Sequence, residues 1–581
     1  RRGGYGGRGS RGGGWRDRDR GDLPGRRDDN GPVLEEVDPV RDLYPDGDDI
    51  AKDVQTQGDS SGIDLFEDLT AGDSEPGSSG TADGAAPGQP EPPSSEAAER
   101  PDGGRASQGR RFGRHEWSAA APSERSSEAD PARLAAFDLL REVDGGAYAN
   151  LALPALLAKR GIEGRDAAFA TELAYGTIRM RGRYDPVIEI AVERSLKRIH
   201  TPVLDVLRLG AHQLAAMRVP DHAAVDSCVA LARDAIGHGP SQLVNAALRA
   251  IASNGFEAME VESLAGKPAD DALAARTSHP AWILRALRQA LSAGGRDAAE
   301  LAGVLAANNA APHTTLVARP GLISAEELAG QVGEDAIQGA LAPTAVTMVH
   351  GSPGSLAAVR AGSAGVQDEG SQLVALALAE APIEGRDLAW ADLCAGPGGK
   401  AALLGAVAAQ RGARLHAIET HGHRAELVRA IVDPRVVEVE VGDSRELGEA
   451  RPGEFDRVLV DVPCTGLGAL RRRPEARWRH SPSDLASLGP LQRALLTSGI
   501  RATRPGGVVA YVTCSPHLAE TTLVVHDVLR KQPGAHLIDA ASVPLLAATG
   551  AVRPDGTCQL WTDKHGTDAM FLALIACAES L

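Results

Sequence analysis

Aromatic residues make up only 3% of this 581-residue chain, and its six cysteines include no Cys-x-x-Cys pair. Widely spaced thiols suit neither a zinc site nor an iron–sulfur cluster, and a disulfide framework belongs to short secreted chains. Cys228, Cys394, Cys464, Cys514, Cys558 and Cys577 are therefore expected as free thiols, and no metal site is expected. No apolar run approaches the roughly 18–20 residues that span a bilayer, and the start carries no hydrophobic signal region. A cytoplasmic, monomeric chain without membrane contact is the expectation. What is present, 43% hydrophobic residues and a net charge of −17, fits a multidomain protein of roughly three to four domains by length.

Residues 1–128 are rich in Gly, Ser, Pro, Asp, Glu and Arg without a sustained apolar period, and read as a disordered low-complexity tail. Its opening, Arg1-Arg2-Gly3-Gly4-Tyr5 through Trp15, is similar to RGG segments, in which arginines track phosphates and aromatics stack on bases. A plain flexible tail reads equally well from the same composition. The acidic stretch that follows carries much of the negative balance, so whole-chain charge does not exclude a nucleic-acid substrate.

From Pro131 the pattern becomes helical. Leu134, Phe137, Leu140 and Val143 share a spacing close to one helix face, as do Phe169, Leu173 and Ile178, and then Val203, Leu207 and Leu214. Gly145-Gly146 and Gly161 punctuate these runs, which predicts an all-α domain of short helices over 129–256. Phe169, Leu173 and Val244 belong to its core; Arg179, Arg181, Arg183, Lys197 and Arg198 are its candidate phosphate contacts if exposed. Residues 262–350 mix helical patterns with Pro- and Gly-marked turns and read as a small α/β connecting module, with His279 and Trp282 as packing residues.

Strands and helices alternate from there to the end, and 351–581 is expected to form an α/β Rossmann-like domain on a doubly wound parallel sheet. Its first strand runs into Cys394-Ala395-Gly396-Pro397-Gly398-Gly399-Lys400. A glycine turn of this kind lets backbone approach a ligand, but a phosphate loop, a dinucleotide fingerprint and a sulfonium-nucleoside site all compete for it. Glu419 at the end of the second strand suits ribose hydroxyls, and Asp443 past the third suits an adenine amino group. Asp461-Val462-Pro463-Cys464-Thr465-Gly466 and Thr513-Cys514-Ser515-Pro516 each follow an apolar run, so both thiols sit at carboxyl ends of strands, where open α/β sheets place their chemistry. A lone acid there is more often a strand-end cap. Four strand ends with an acid or a thiol are harder to dismiss.

These motifs resemble the Sun-type (RsmB-like) RNA cytosine-5 methyltransferases. Arg165 to Thr177 and Leu243 to Arg249 resemble the NusB-type RNA-binding helical domain that fronts such chains. The resemblance implies S-adenosyl-L-methionine as cofactor, held by Cys394 to Lys400, Glu419, Asp443 and Asp461. It also implies Cys514 as the nucleophile that adds to carbon 6 of the cytosine, Asp461 as the contact to the base, and Cys464 as the residue tied to release. RNA is the implied partner, 16S ribosomal RNA or the assembling small subunit before transfer RNA. A non-catalytic RNA-binding assembly factor is the alternative from another class. Arg471, Arg472, Arg473, Arg477 and Trp478 follow the Cys464 turn directly and are read as an RNA-contacting loop. Three positions depart from the family pattern: Gly396 where Ala is usual, Glu419 where Asp is common, and Glu520-Thr521 where an Asn is often seen.

Overall fold

The computed structural model describes residues 129–578, all within one compact unit; the low-complexity stretch 1–128 and its RGG-like opening lie outside the described residues. Seven helices build the front: α1 Pro131–Asp144, α2 Ala149–Arg160, α3 Gly164–Val192, α4 Thr201–Ala216, α5 Asp221–Ala235, α6 His238–Asn254 and α7 Phe256–Leu264. The glycines read as punctuation do end helices: Gly145 caps α1, and Gly161 takes a left-handed φ of 61° after α2. The helices are not all short, however. α3 runs for 29 residues, and its internal Gly176 and Gly182 serve close approach instead of a stop, because a Cβ there would meet His212 at 2.2 Å and Trp478 at 2.6 Å. Leu173, Leu207, Val244 and Phe256 pack in one core, so the bundle extends through α7.

α8 Ala269–Arg276, α9 Ala281–Ala293 and α10 Leu301–Asn309 bury Ile283, Leu287 and Leu305 against Leu467, Leu470 and Trp561 of the C-terminal half. His279 is buried among them, its Nδ1 2.7 Å from the Thr277 carbonyl oxygen. A four-stranded antiparallel sheet follows, ordered β2-β3-β1-β4, from β1 Thr314–Ala318, β2 Ala336–Gln338, β3 Ala345–Met348 and β4 Ala364–Val366. Its fourth strand lies past residue 350, so this module continues into the stretch expected to belong to the Rossmann-like domain.

The large sheet runs β10-β12-β9-β8-β5-β6-β7. Its members are β5 Ala389–Asp392, β6 Arg414–Glu419, β7 Val437–Val441, β8 Phe455–Asp461, β9 Thr503–Thr513, β10 Ala535–Ile538 and β12 Phe571–Cys577, with β11 Cys558–Gln559 on β12. β5 to β9 pair in parallel, whereas β12 pairs antiparallel to both β9 and β10, which corrects the all-parallel reading. Apolar runs read the same in either direction when both faces are covered. Here they are covered: Trp390, Leu459, Ala510 and Leu572 face α11 Glu369–Glu380 and α12 Gly399–Arg411, and Val458, Val460, Tyr511 and Phe571 face α13 Leu485–Ala502 and α14 Thr522–Leu529. The chain enters at β5, builds outward through β6 and β7, then crosses back to lay β8 on the other side of β5. The strand order therefore reverses between β5 and β8, where such sheets open a ligand crevice beyond their carboxyl ends.

Candidate functional site

Register decides which side chains meet at that reversal. Asp392 pairs with Leu459 across β5 and β8, and Asp461 with Val512 across β8 and β9, so the turns leaving all three strands emerge together. Cys464 and Cys514, fifty residues apart in sequence, come to 3.3 Å between their sulfurs. The Cys464 contact lowers the Cys514 pKa against the opposing effects of burial and Asp461, with Arg473 assisting. Cys464 is pushed well above its usual range by the same contact and by burial. Either sulfur can donate in that contact; the two shifts favour the arrangement in which Cys464 donates and Cys514 takes on thiolate character, the form in which a thiol is nucleophilic.

Lys400, on the first turn of α12, places Nζ 2.7 Å from Asp461 Oδ2. Burial works against its charge, and Asp461 more than offsets that, raising its pKa. Asp392 is fully buried behind them. Its Oδ1 accepts from the Cys394 N–H at 3.3 Å, while Oδ2 has no partner. Burial, reinforced by Asp461, pushes its carboxyl up to about 7.

The Gly-rich turn joins β5 to α12. Gly398, at φ 114°, would drive a Cβ into Ile431 at 2.7 Å, so this backbone approach excludes any side chain. The Ala395 N–H is tied to the Ile418 carbonyl and the Gly396 N–H to Glu419 Oε2 at 3.1 Å, while the Cys394 thiol is raised well above its usual range by burial. Glu419 is buried and also accepts from the His421 N–H at 3.0 Å. Gln367 lies beside Gly399 with its Oε1 buried and unpaired. A glycine cradle, an acid at the second strand end and orphaned acceptors around it fit a cationic nucleoside. Asp443 lies past β7 at the edge of the sheet, where Arg445 holds its carboxylate and lowers its pKa.

The cationic loop behaves differently from expectation. Arg477 is fully buried and donates to the carbonyl oxygens of Arg179 at 2.8 Å, Ser278 at 3.3 Å and Asn308 at 2.8 Å; desolvation brings its pKa to about 9. The Trp478 indole N–H donates to the Ile178 carbonyl at 3.0 Å, and its ring packs on the helical core. Both residues are corrected from RNA contacts to struts between the two halves, since neither presents its polar end to solvent. Arg471 bonds Asp368 at 2.6 Å, and Arg472 pairs with Asp568, so these two belong to a buried ion cluster. In the bundle, Arg179 is buried and Arg183 is bonded to Glu260 at 2.7 Å, so neither is a free cation.

Glu520 positions the Cys464 turn, a part that sequence reasoning does not find. Fully buried, it accepts from the Thr465 N–H at 2.8 Å, the Thr465 hydroxyl at 2.5 Å and Gln492 at 3.2 Å, and so fixes the turn that carries Cys464. The absence of the Asn common in the family marks this position, but nothing in the linear pattern ties its carboxylate to a turn 55 residues earlier.

Residues 377–576 match the family model described as 16S rRNA methyltransferase RsmB/F, and 130–253 match that of the NusB family. Rv1407 of Mycobacterium tuberculosis (strain ATCC 25618 / H37Rv), named as a methyltransferase, is 51% identical over 453 residues, 77% of this chain and 96% of that one. The ribosomal RNA small subunit methyltransferase B of Pseudomonas putida is 30% identical over 457 residues, covering 76% of this chain and 98% of that protein. The solved structure of PH0851 superposes with a TM-score of 0.65 over 77% of this chain and 99% of that one, at 20% identity, and shares the fold. With its polarised thiols at the strand reversal and a NusB-type bundle in front, the chain belongs to the RsmB/F family of 16S rRNA methyltransferases, and its methyl donor is S-adenosyl-L-methionine.

Proposed function

We propose that this chain methylates carbon 5 of a cytosine in 16S ribosomal RNA through a covalent Cys514–cytosine intermediate. The observation that carries this reading is the pair of thiols 3.3 Å apart, polarised in opposite senses beside Asp461. Carbon 5 of cytosine is a weak nucleophile, and a thiolate adding at carbon 6 pushes electron density onto it. At an unperturbed pKa only about 3% of a thiol is ionised at pH 7, and the Cys464 contact and Arg473 both favour the thiolate, so losing the Cys464 contact slows addition without abolishing it. Asp461, oriented by Lys400, faces the base and accepts from its exocyclic amine as charge shifts in the ring. S-adenosyl-L-methionine, which the glycine turn and Glu419 would hold, would supply the methyl group when bound. Transfer of the carbon 5 proton to water in the open crevice then re-forms the ring double bond, and the carbon 6–sulfur pair leaves with Cys514 as thiolate, with Cys464 in contact to assist that release. The base must leave its stack to reach the crevice.

Two variants test the assignment. Cys464→Ala incubated with unmodified 16S RNA and cofactor should accumulate a denaturation-resistant protein–RNA adduct. Cys514→Ala should give neither adduct nor methylation. An adduct formed by the Cys514 variant would reverse the roles, and methylation elsewhere than carbon 5, read by bisulfite mapping, would remove the reading altogether.

A further inference from the structure

Five cations follow the Cys464 turn, and four have their hydrogen bonds taken within the protein. Arg471 bonds Asp368 and the Gly566 carbonyl, Arg472 pairs with Asp568, Arg477 bonds three carbonyls, and Arg479 donates to the Ala147 carbonyl at 2.8 Å. Arg473 differs. Among the described residues no carboxylate lies in ion-pair contact with it and no acceptor takes a hydrogen bond from its side chain; the buried Glu475 feels its charge without contact, and its Nε, like that of Arg477, is buried and unpaired. The guanidinium lies over a π face instead, 5.5 Å from the Tyr148 ring, whose other cation contact is Arg479 at 4.6 Å. Tyr148 belongs to the loop before α2, so the NusB-type bundle supplies the platform. Arg473 closes a turn that is anchored on the reactive strand end, its N–H bonded to the Ala469 carbonyl at 2.9 Å and the Gly468 N–H to the Cys514 carbonyl at 2.8 Å, and its charge lowers the Cys514 pKa.

A half-buried guanidinium without an acceptor is costly unless a ligand completes it, and its planar fork matches a phosphodiester. Stacking on Tyr148 orders the fork in advance, which lowers the entropy cost when an anion arrives. We infer that Arg473, seated on Tyr148, receives a backbone phosphate adjoining the target cytosine and so registers the flipped nucleotide against Cys514. This inference rests on the reading of the site as RNA-modifying. It narrows the loop from five RNA-facing residues to one, and it gives the helical bundle a part in the catalytic crevice.

The test is the salt dependence of binding to unmodified 16S RNA fragments, read by fluorescence anisotropy in Arg473→Met, Arg473→Lys and the parent chain. Removing the cation that neutralises one phosphate should flatten the slope of log K against log salt by about 0.7–0.9. Arg473→Met should show that change together with a raised KM, and Arg473→Lys should retain the slope. Tyr148→Leu, which keeps the cation and removes the platform, should raise KM with the slope intact. An unchanged slope in Arg473→Met overturns the inference. So does a change confined to the pH midpoint of adduct formation in the Cys464→Ala background, which would make Arg473 a thiolate stabiliser only. Failure of the Cys464→Ala chain to form adduct and of the parent chain to methylate would sink the proposed chemistry, whereas the slope comparison reads Arg473 independently.

Discussion

Gly396 and Glu419 both depart from the residues common in Sun-type enzymes, and the structure shows that the two departures fit each other. A Cβ at position 396 would stand 2.2 Å from Glu419 Oε2, and the longer Glu reaches the turn because glycine leaves that space open. Gly396→Ala alone should weaken cofactor binding about tenfold by calorimetry, and Gly396→Ala/Glu419→Asp should recover most of it, a coupling expected only of residues in contact. Asp392 sets a pH dependence. Its folded pKa, about 7, lies above the unfolded value of 3.8, so the folded state holds the proton more tightly. Stability should therefore fall as pH rises from about 4 to about 7. Asp392→Asn keeps an oxygen for the Cys394 N–H and removes the charge. It should be more stable than the parent at pH 8, by a few kcal/mol at most, and nearly equal at pH 4. Thermal melts across that range give the answer; a difference that does not vary with pH contradicts it.

At the scale of elements, the short helix Ala476–Arg479 joins the two halves of the molecule. Arg477 ties carbonyls of α3, of the Ser278 turn and of α10, while Trp478 occupies the groove that Gly182 leaves on α3. This helix follows the Cys464 turn by a dozen residues, so its seating and that of the turn are linked. Replacing Arg477 by Ala would take this donor away from three buried carbonyls, at a cost of about 2–4 kcal/mol. The expected result is a melting transition that is lower and splits in two, with methylation reduced although no reacting group is altered. A single transition at the parental temperature would show that the strut is dispensable. Basic residues read alike from sequence whether they face water or carbonyls, which is why composition alone points this loop at RNA.

For the molecule as a whole, the linear order of motifs and the topology contribute different things. β5 and its glycine turn, the alternation through β9 and both thiol turns are legible, because apolar runs closed by Pro and Gly mark buried strand ends. The helical front is legible from its period, though not the 29-residue length of α3, since internal glycines look the same whether they end a helix or admit a neighbour. The antiparallel return of β12 is not legible, because a strand covered on both faces carries no mark of direction. Nor is the coupling of Glu520 to Thr465, or of Arg477 to three carbonyls, which joins residues far apart in the chain.

Sequence alone determined which reactive groups the chain brings to its strand ends: two cysteines, an aspartate and a glycine turn are local patterns, written in consecutive residues. Tertiary structure alone decided which thiol is biased toward ionisation, which cation is left open and how the helical front braces the crevice. Those properties depend on desolvation and on contacts of a few ångströms between distant segments, and only the closed fold sets such distances.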